Sequence, residues 1–129
     1  SVPIAVDGAE IRLAGLDDVR YGHPDIDAAL SGIAPGTPTI LIVHNPDAAS
    51  LAEARGVDLV LAGHTHGGQI RLPLLGPVPH MPITIGQQFD KGLFFYGPSR
   101  LFITSGVGES GPRARLFDPP EISLLRVTF

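Results

Sequence analysis

Residues Thr39 to Gly68 constrain the fold more tightly than any other part of the chain. Thr39-Ile40-Leu41-Ile42-Val43 is a continuous apolar, β-branched run, the pattern of a strand covered on both faces. Asn45-Pro46-Asp47 then offers an N-cap, a first-turn proline and an acidic residue, and the helix it starts runs through Leu51 to Arg55 and stops at Gly56. Val57-Asp58-Leu59-Val60-Leu61-Ala62 is a second apolar run. Strand, helix and strand with short joints predict a right-handed βαβ unit whose strands are parallel. Parallel strands end on the same edge of the sheet, where open α/β sheets bind ligands. Histidines stand at both ends: His44 after the first run, His64 and His66 after the second.

The flanking segments read as antiparallel additions. Ile4-Ala5-Val6 and Ile11 to Leu16 bracket Asp7-Gly8, a turn dipeptide, and predict an opening hairpin. Pro24 to Leu30 predicts a short helix, with Gly32 as its stop. Prolines cluster between Leu72 and Pro82, where no regular structure is expected. Gly92 to Tyr96 and Leu101 to Thr104 predict a second hairpin around Gly97-Pro98-Ser99. A glycine-rich loop spans Ser105 to Gly111, and Glu121 to Phe129 reads as a closing strand. Neither a repeat nor a long linker divides the chain, so residues 1–129 are expected to form one unit.

Composition narrows the function. A net charge of -4 gives no basic excess, so neither a nucleic-acid backbone nor an anionic membrane is implied as partner, and a phosphate site would need metal cations. The absence of cysteine excludes disulfides, thiolate zinc sites and a cysteine nucleophile, and leaves the compartment open. No apolar run approaches the roughly 18 residues of a membrane span, so the chain is expected to be soluble.

Two histidines at i and i+2 in an extended segment project to one side, so Gly63-His64-Thr65-His66-Gly67-Gly68 is expected to aim both imidazoles into one site, with His44 joining across the strand pair. Imidazole suits zinc, iron and manganese. A lone loop histidine is more often structural; three at one sheet edge reverse that expectation. The glycine-rich run near Gly106 starts no helix and is not a dinucleotide fingerprint, and Ser105 and Ser110 lack the setting of a nucleophile elbow. Asp17 and Asp18 read as turn formers, and His23 and His80 as exposed loop residues.

The stretch Leu61 to Gln69 resembles the G-H-x-H-G-G-Q signature of calcineurin-like phosphoesterases, and Val43-His44-Asn45-Pro46-Asp47 resembles the single-histidine motif upstream of it. Ala14 to Asp18, Ser105 to Gly111, Arg115 and Pro120-Glu121-Ile122 are similar to the bacterial cell-envelope branch of that family. The resemblance implies an α/β fold: the carboxy-terminal half of a four-layer α/β/β/α sandwich, with a parallel βαβ core and antiparallel hairpins. It implies a metal-dependent hydrolase of phosphomonoesters or phosphodiesters with a binuclear centre of Mn, Fe or Zn. His44 and His64 would hold one metal and His66 the other, with at most one ion in this chain alone. Gln69 and Arg115 are candidate substrate contacts, and the catalytic acid is not identified. The family's D-x-H, G-D and G-N-H motifs are absent, which makes an amino-terminal half the expected partner, together with a phosphoester substrate. Without it the chain is expected to be inactive and to self-associate through uncovered apolar surface. Two rivals stay open: a non-catalytic half-domain, and a mononuclear zinc hydrolase using the three histidines alone.

Overall fold

The computed structural model describes residues 1–6, 8–111 and 113–128. Among these residues, eight strands form a six-stranded sheet and a small two-stranded ladder. The opening hairpin pairs β1 (Val2–Val6) with β2 (Ala9–Gly15). Its turn includes Asp7, which lies outside the described residues. Helix α1 (Ile26–Leu30) follows, capped by the Asp25 carboxylate, which accepts from the Ala28 amide.

The expected βαβ unit is present. Strand β3 (Thr39–Ile42) leads through a 3-10 turn at Pro46–Ala48 into α2 (Ala49–Glu53) and then β4 (Leu59–Ala62). Asn45 caps the turn through Oδ1, which accepts from the Asp47 amide. Strands β3 and β4 are parallel neighbours, with Leu41 opposite Val60. The proline-rich segment is not wholly irregular: β5 (Arg71–Leu72) and β6 (Gly76–Pro77) make a two-residue antiparallel ladder. Pro77 itself lies in the ladder opposite Arg71, and the neighbouring Val78 amide donates to the Ile70 carbonyl where proline has no amide to give. The second hairpin joins β7 (Gly92–Tyr96) to β8 (Ser99–Ile103), and β8 lies parallel to β4. The sheet order is β1-β2-β3-β4-β8-β7, a parallel centre with an antiparallel hairpin at each end.

The closing segment departs from expectation. Residues 121–128 join no ladder, despite their strand-like composition. They run across a face of the sheet, where Leu125 lines a groove with Phe102, Leu59 and Ile40. A strand needs an open edge to pair with, and lying over the face satisfies side chains rather than backbone groups. The segment is tied down by Glu121, whose amide donates to the Gly106 carbonyl and whose carboxylate accepts from Thr104 and Ser105.

The two sheet faces differ in cover. One carries the core: Leu41, Val43, Val60, Ala62, Leu101 and Ile103 pack against Ala48, Ala49 and Ala52 of the turn and α2. On the other, Ile42, Leu93 and Phe95 remain 47%, 62% and 70% exposed. The accessible surface is 7717 Å², against about 6,600 Å² for a folded monomer of this mass. The apolar runs are expected to be covered on both faces; the second face is covered only in part, by the closing segment. Among the described residues, the six-stranded sheet and α2 packed on it make two layers.

Candidate functional site

The parallel register carries His44 and the 63–69 loop to the same edge, since β3 and β4 both end there. The Gly63 amide donates to the His44 carbonyl, which continues the pairing one step past the strands. As a result His44 Nε2 lies 3.1 Å from His64 Nδ1, with the rings nearly perpendicular at 79°. The other nitrogen of His64, Nε2, lies 3.2 Å from the Pro82 carbonyl. A carbonyl only accepts, so Nε2 carries the proton and Nδ1 presents a lone pair toward His44. Arg20 donates to the same carbonyl, fixing its position.

This arrangement fits a metal ion. Two nitrogens held at roughly 2.0–2.1 Å from one ion, at angles between a right angle and tetrahedral, are about 2.9–3.4 Å apart. The 3.1 Å separation falls inside that interval, and without an ion it is the length of a hydrogen bond between the two rings. Asp18 adds negative charge nearby. Its Oδ1 accepts from the Arg20 and Tyr21 amides, whereas Oδ2 is buried without a hydrogen-bond partner. The amides of Tyr21 and Arg20 hold its carboxyl below the usual range, with smaller contributions from the nearby His44 and His64. Asp18 was read as a turn former, and it does form that turn. The turn leaves its second oxygen sealed off and electrostatically linked to the histidine pair, a role that the Asp17-Asp18 dipeptide alone does not signal.

His66 goes elsewhere. The expectation of an extended H-x-H segment is corrected here, because His64 and His66 adopt φ of 69° and 51°, in the left-handed region. Gln69 does the same at 54°, and Gly67 and Gly68 between them continue the reversal. Each non-glycine residue in that region costs about 1–2 kcal/mol, and such strain concentrates at functional sites. The reversal turns the two imidazoles to different partners: His66 Nδ1 lies 3.2 Å from the Gly108 carbonyl, which fixes Nδ1 as protonated and leaves Nε2 bare. Among the described residues, no three histidine, aspartate or glutamate side chains gather round one point.

The loop is braced from below. Thr65 Oγ1 donates to the Asp90 carbonyl and accepts from the Gly67 amide. Arg71 bridges the Gly67 carbonyl and the Asp90 carboxylate. Gln69 is buried, and its amide spans the glycine-rich loop, accepting from the Ser110 amide and donating to the Ala114 carbonyl. Arg115 is 7% exposed in its side chain and points inward to Asp118 and to the carbonyls of Ser105, Gly106 and Gly108. His23 and His80 are both exposed, and the His23 amide donates to the Asp17 carboxylate.

Comparison with known proteins adds the following. The chain is 38% identical over 118 residues to the metallophosphoesterase YkuE of Bacillus subtilis, covering 92% of this chain and 41% of that protein. It is 34% identical over 128 residues to the phosphodiesterase YaeI of Escherichia coli, with 96% and 44% covered. It is 30% identical over 129 residues to the UDP-2,3-diacylglucosamine pyrophosphatase LpxG of Chlamydia muridarum, with 92% and 38% covered. The chain thus spans less than half the length of these relatives. No family model and no solved structure matches it.

Proposed function

The chain belongs to the calcineurin-like metallophosphoesterases, and on that footing we propose that it is the histidine-bearing, carboxy-terminal part of a metal-dependent phosphoric ester hydrolase. The observation that carries the reading is the His44–His64 pair: two imidazole nitrogens 3.1 Å apart, one of them bared by the Pro82 carbonyl. In this reading His44 and His64 hold one ion, and His66, through Nε2, holds a second of the Mn, Fe or Zn class. When bound, such ions polarise a phosphoryl oxygen and lower the pKa of a water molecule. The chain's own residues orient the ligands. Pro82 and Gly108 fix the two tautomers, and Asp18 adds a negative charge that favours a cation beside His44 and His64.

A bridging carboxylate and the protonating acid come, in this reading, from an amino-terminal half of the same fold. The exposed Ile42, Leu93 and Phe95 support it, because the closing segment leaves part of that apolar sheet face open, and such a half would cover it. Alone, the chain self-associates through that face and hydrolyses poorly. The named activities of the relatives, a phosphodiesterase and a pyrophosphatase, point to a phosphoric ester or anhydride as substrate.

A second reading, a non-catalytic half-domain, is favoured by the absence of a three-ligand group among the described residues. One assay separates the two. The full-length protein, stripped with chelator and reloaded with Mn²⁺ or Zn²⁺, is tested on bis(p-nitrophenyl) phosphate, with His64→Ala as control. Metal-dependent turnover that falls on the order of a hundredfold or more in the variant supports the hydrolase. Loaded protein with no turnover of diester, monoester or anhydride supports the half-domain.

A further inference from the structure

We propose that Arg115 is a positioning residue for His66, acting through the Gly108 carbonyl, and that Asp118 and Lys91 hold it in place. The inference rests on the reading of His66 as a metal ligand. The sequence made Arg115 a candidate phosphate contact, but its donors are committed inward. One terminal nitrogen donates to the Asp118 carboxylate at 3.0 Å and to the Asp118 carbonyl. The other donates to the carbonyls of Ser105 at 2.9 Å, Gly106 at 3.2 Å and Gly108 at 2.6 Å. Nε is buried without a partner.

The Gly108 carbonyl is the one that faces His66 Nδ1. It lies in an exposed glycine-rich loop, where backbone freedom is largest and a carbonyl does not hold its direction unaided. Arg115 supplies the fixed direction. The rigid planar fork ties one terminal nitrogen to Asp118 while the other shares its two N–H groups among the loop carbonyls, and a single ammonium group cannot reach both sides at once. The fork is itself anchored, since Asp118 is 1% exposed and also paired with Lys91. Asp118 further packs against Gly67, the residue after His66: a Cβ there would lie 2.6 Å from its Oδ2. The loop bearing His66 and the loop orienting it therefore meet on one buried carboxylate.

The test uses the full-length protein with ¹⁵N-labelled histidine, freed of metal, and long-range ¹H–¹⁵N spectra that report which ring nitrogen is protonated. His66→Ala assigns the signal. The unmodified protein is expected to hold His66 in the Nδ1–H form. Arg115→Lys keeps the buried positive charge beside Asp118, so it preserves folding where Arg115→Gln fails, but it loses the clamp and shifts His66 toward the Nε2–H form. Zn²⁺ titration should show the His66 ion weakened about 10- to 100-fold. Arg115→Lys combined with His66→Ala should bind no worse than His66→Ala alone. An Arg115→Lys protein whose His66 tautomer is unchanged, or losses that simply add in the double variant, would overturn the proposal. A tautomer shift with zinc binding indifferent to His66→Ala keeps Arg115 as the positioning residue and removes the metal assignment instead.

Discussion

Gly67→Ala is a sharp probe of how the site is braced. Gly67 has φ of 61°, and an alanine there costs about 1–2 kcal/mol for the left-handed backbone alone. The added Cβ would also lie 2.6 Å and 2.9 Å from the two oxygens of Asp118, well inside ordinary contact. The carboxylate has to retreat, and it is the carboxylate that pairs with Arg115 and Lys91. Disturbing a buried ion pair costs up to about 3–5 kcal/mol. Gly56→Ala provides the control, because Gly56 has a similar φ of 70° and open space where its Cβ would be. Urea unfolding of the two variants in the full-length protein should give about 1–2 kcal/mol for Gly56→Ala and at least about 2 kcal/mol more for Gly67→Ala. Equal losses would refute the claim that Asp118 supports the His66 loop.

Other outcomes follow from the same contacts. Leu101→Ala, at a fully buried position in β8 beside β4, should cost about 2.7–5 kcal/mol in denaturant unfolding. The hydrogen bond from Ser123 is the largest of the effects that hold the Glu121 carboxyl below its ordinary value, with Thr104, Lys91 and Ser105 adding to it against the opposing effect of burial. A depressed carboxyl stabilises the fold above its unfolded pKa of about 4.5 and loses that contribution as pH falls through the folded value. Protection of the 121–128 segment from hydrogen exchange should therefore fall in acid, and Glu121→Gln should remove that pH dependence. Phe95→Asp, on the exposed part of that sheet face, should reduce association with an amino-terminal half in sedimentation, while Tyr21→Ala, at another exposed site, should not.

Much of this architecture was written in local signals. The cap at Asn45, the stop near Gly56 and the two β-branched runs predict the βαβ unit, and their parallel register brings His44 to His64 without further information. What stayed hidden depends on tertiary contacts. The left-handed backbone of His64, His66 and Gln69 contradicts local preference and persists because Thr65, Arg71 and Asp118 support it from other segments. Glu121 to Thr128 has the composition of a strand, but pairing requires an edge that composition does not encode. Arg115 and Gln69 look like ligand-seeking polar residues until their partners, Asp118 and the 105–114 loop, are known. Asp18 is the converse, a turn residue whose second oxygen is buried by tertiary packing that the Asp17-Asp18 dipeptide does not encode.

The central claim is that the three histidines serve two ions, His44 and His64 together and His66 apart. Elemental analysis of the full-length protein, loaded with Mn²⁺ or Zn²⁺ and then desalted, tests it directly. The account predicts two ions per chain in the unmodified protein. It predicts loss of one ion in His44→Ala and in His64→Ala, no further loss when those two are combined, and loss of the other in His66→Ala. Two ions retained in all three single variants, or a single ion that all three histidines share, would contradict it.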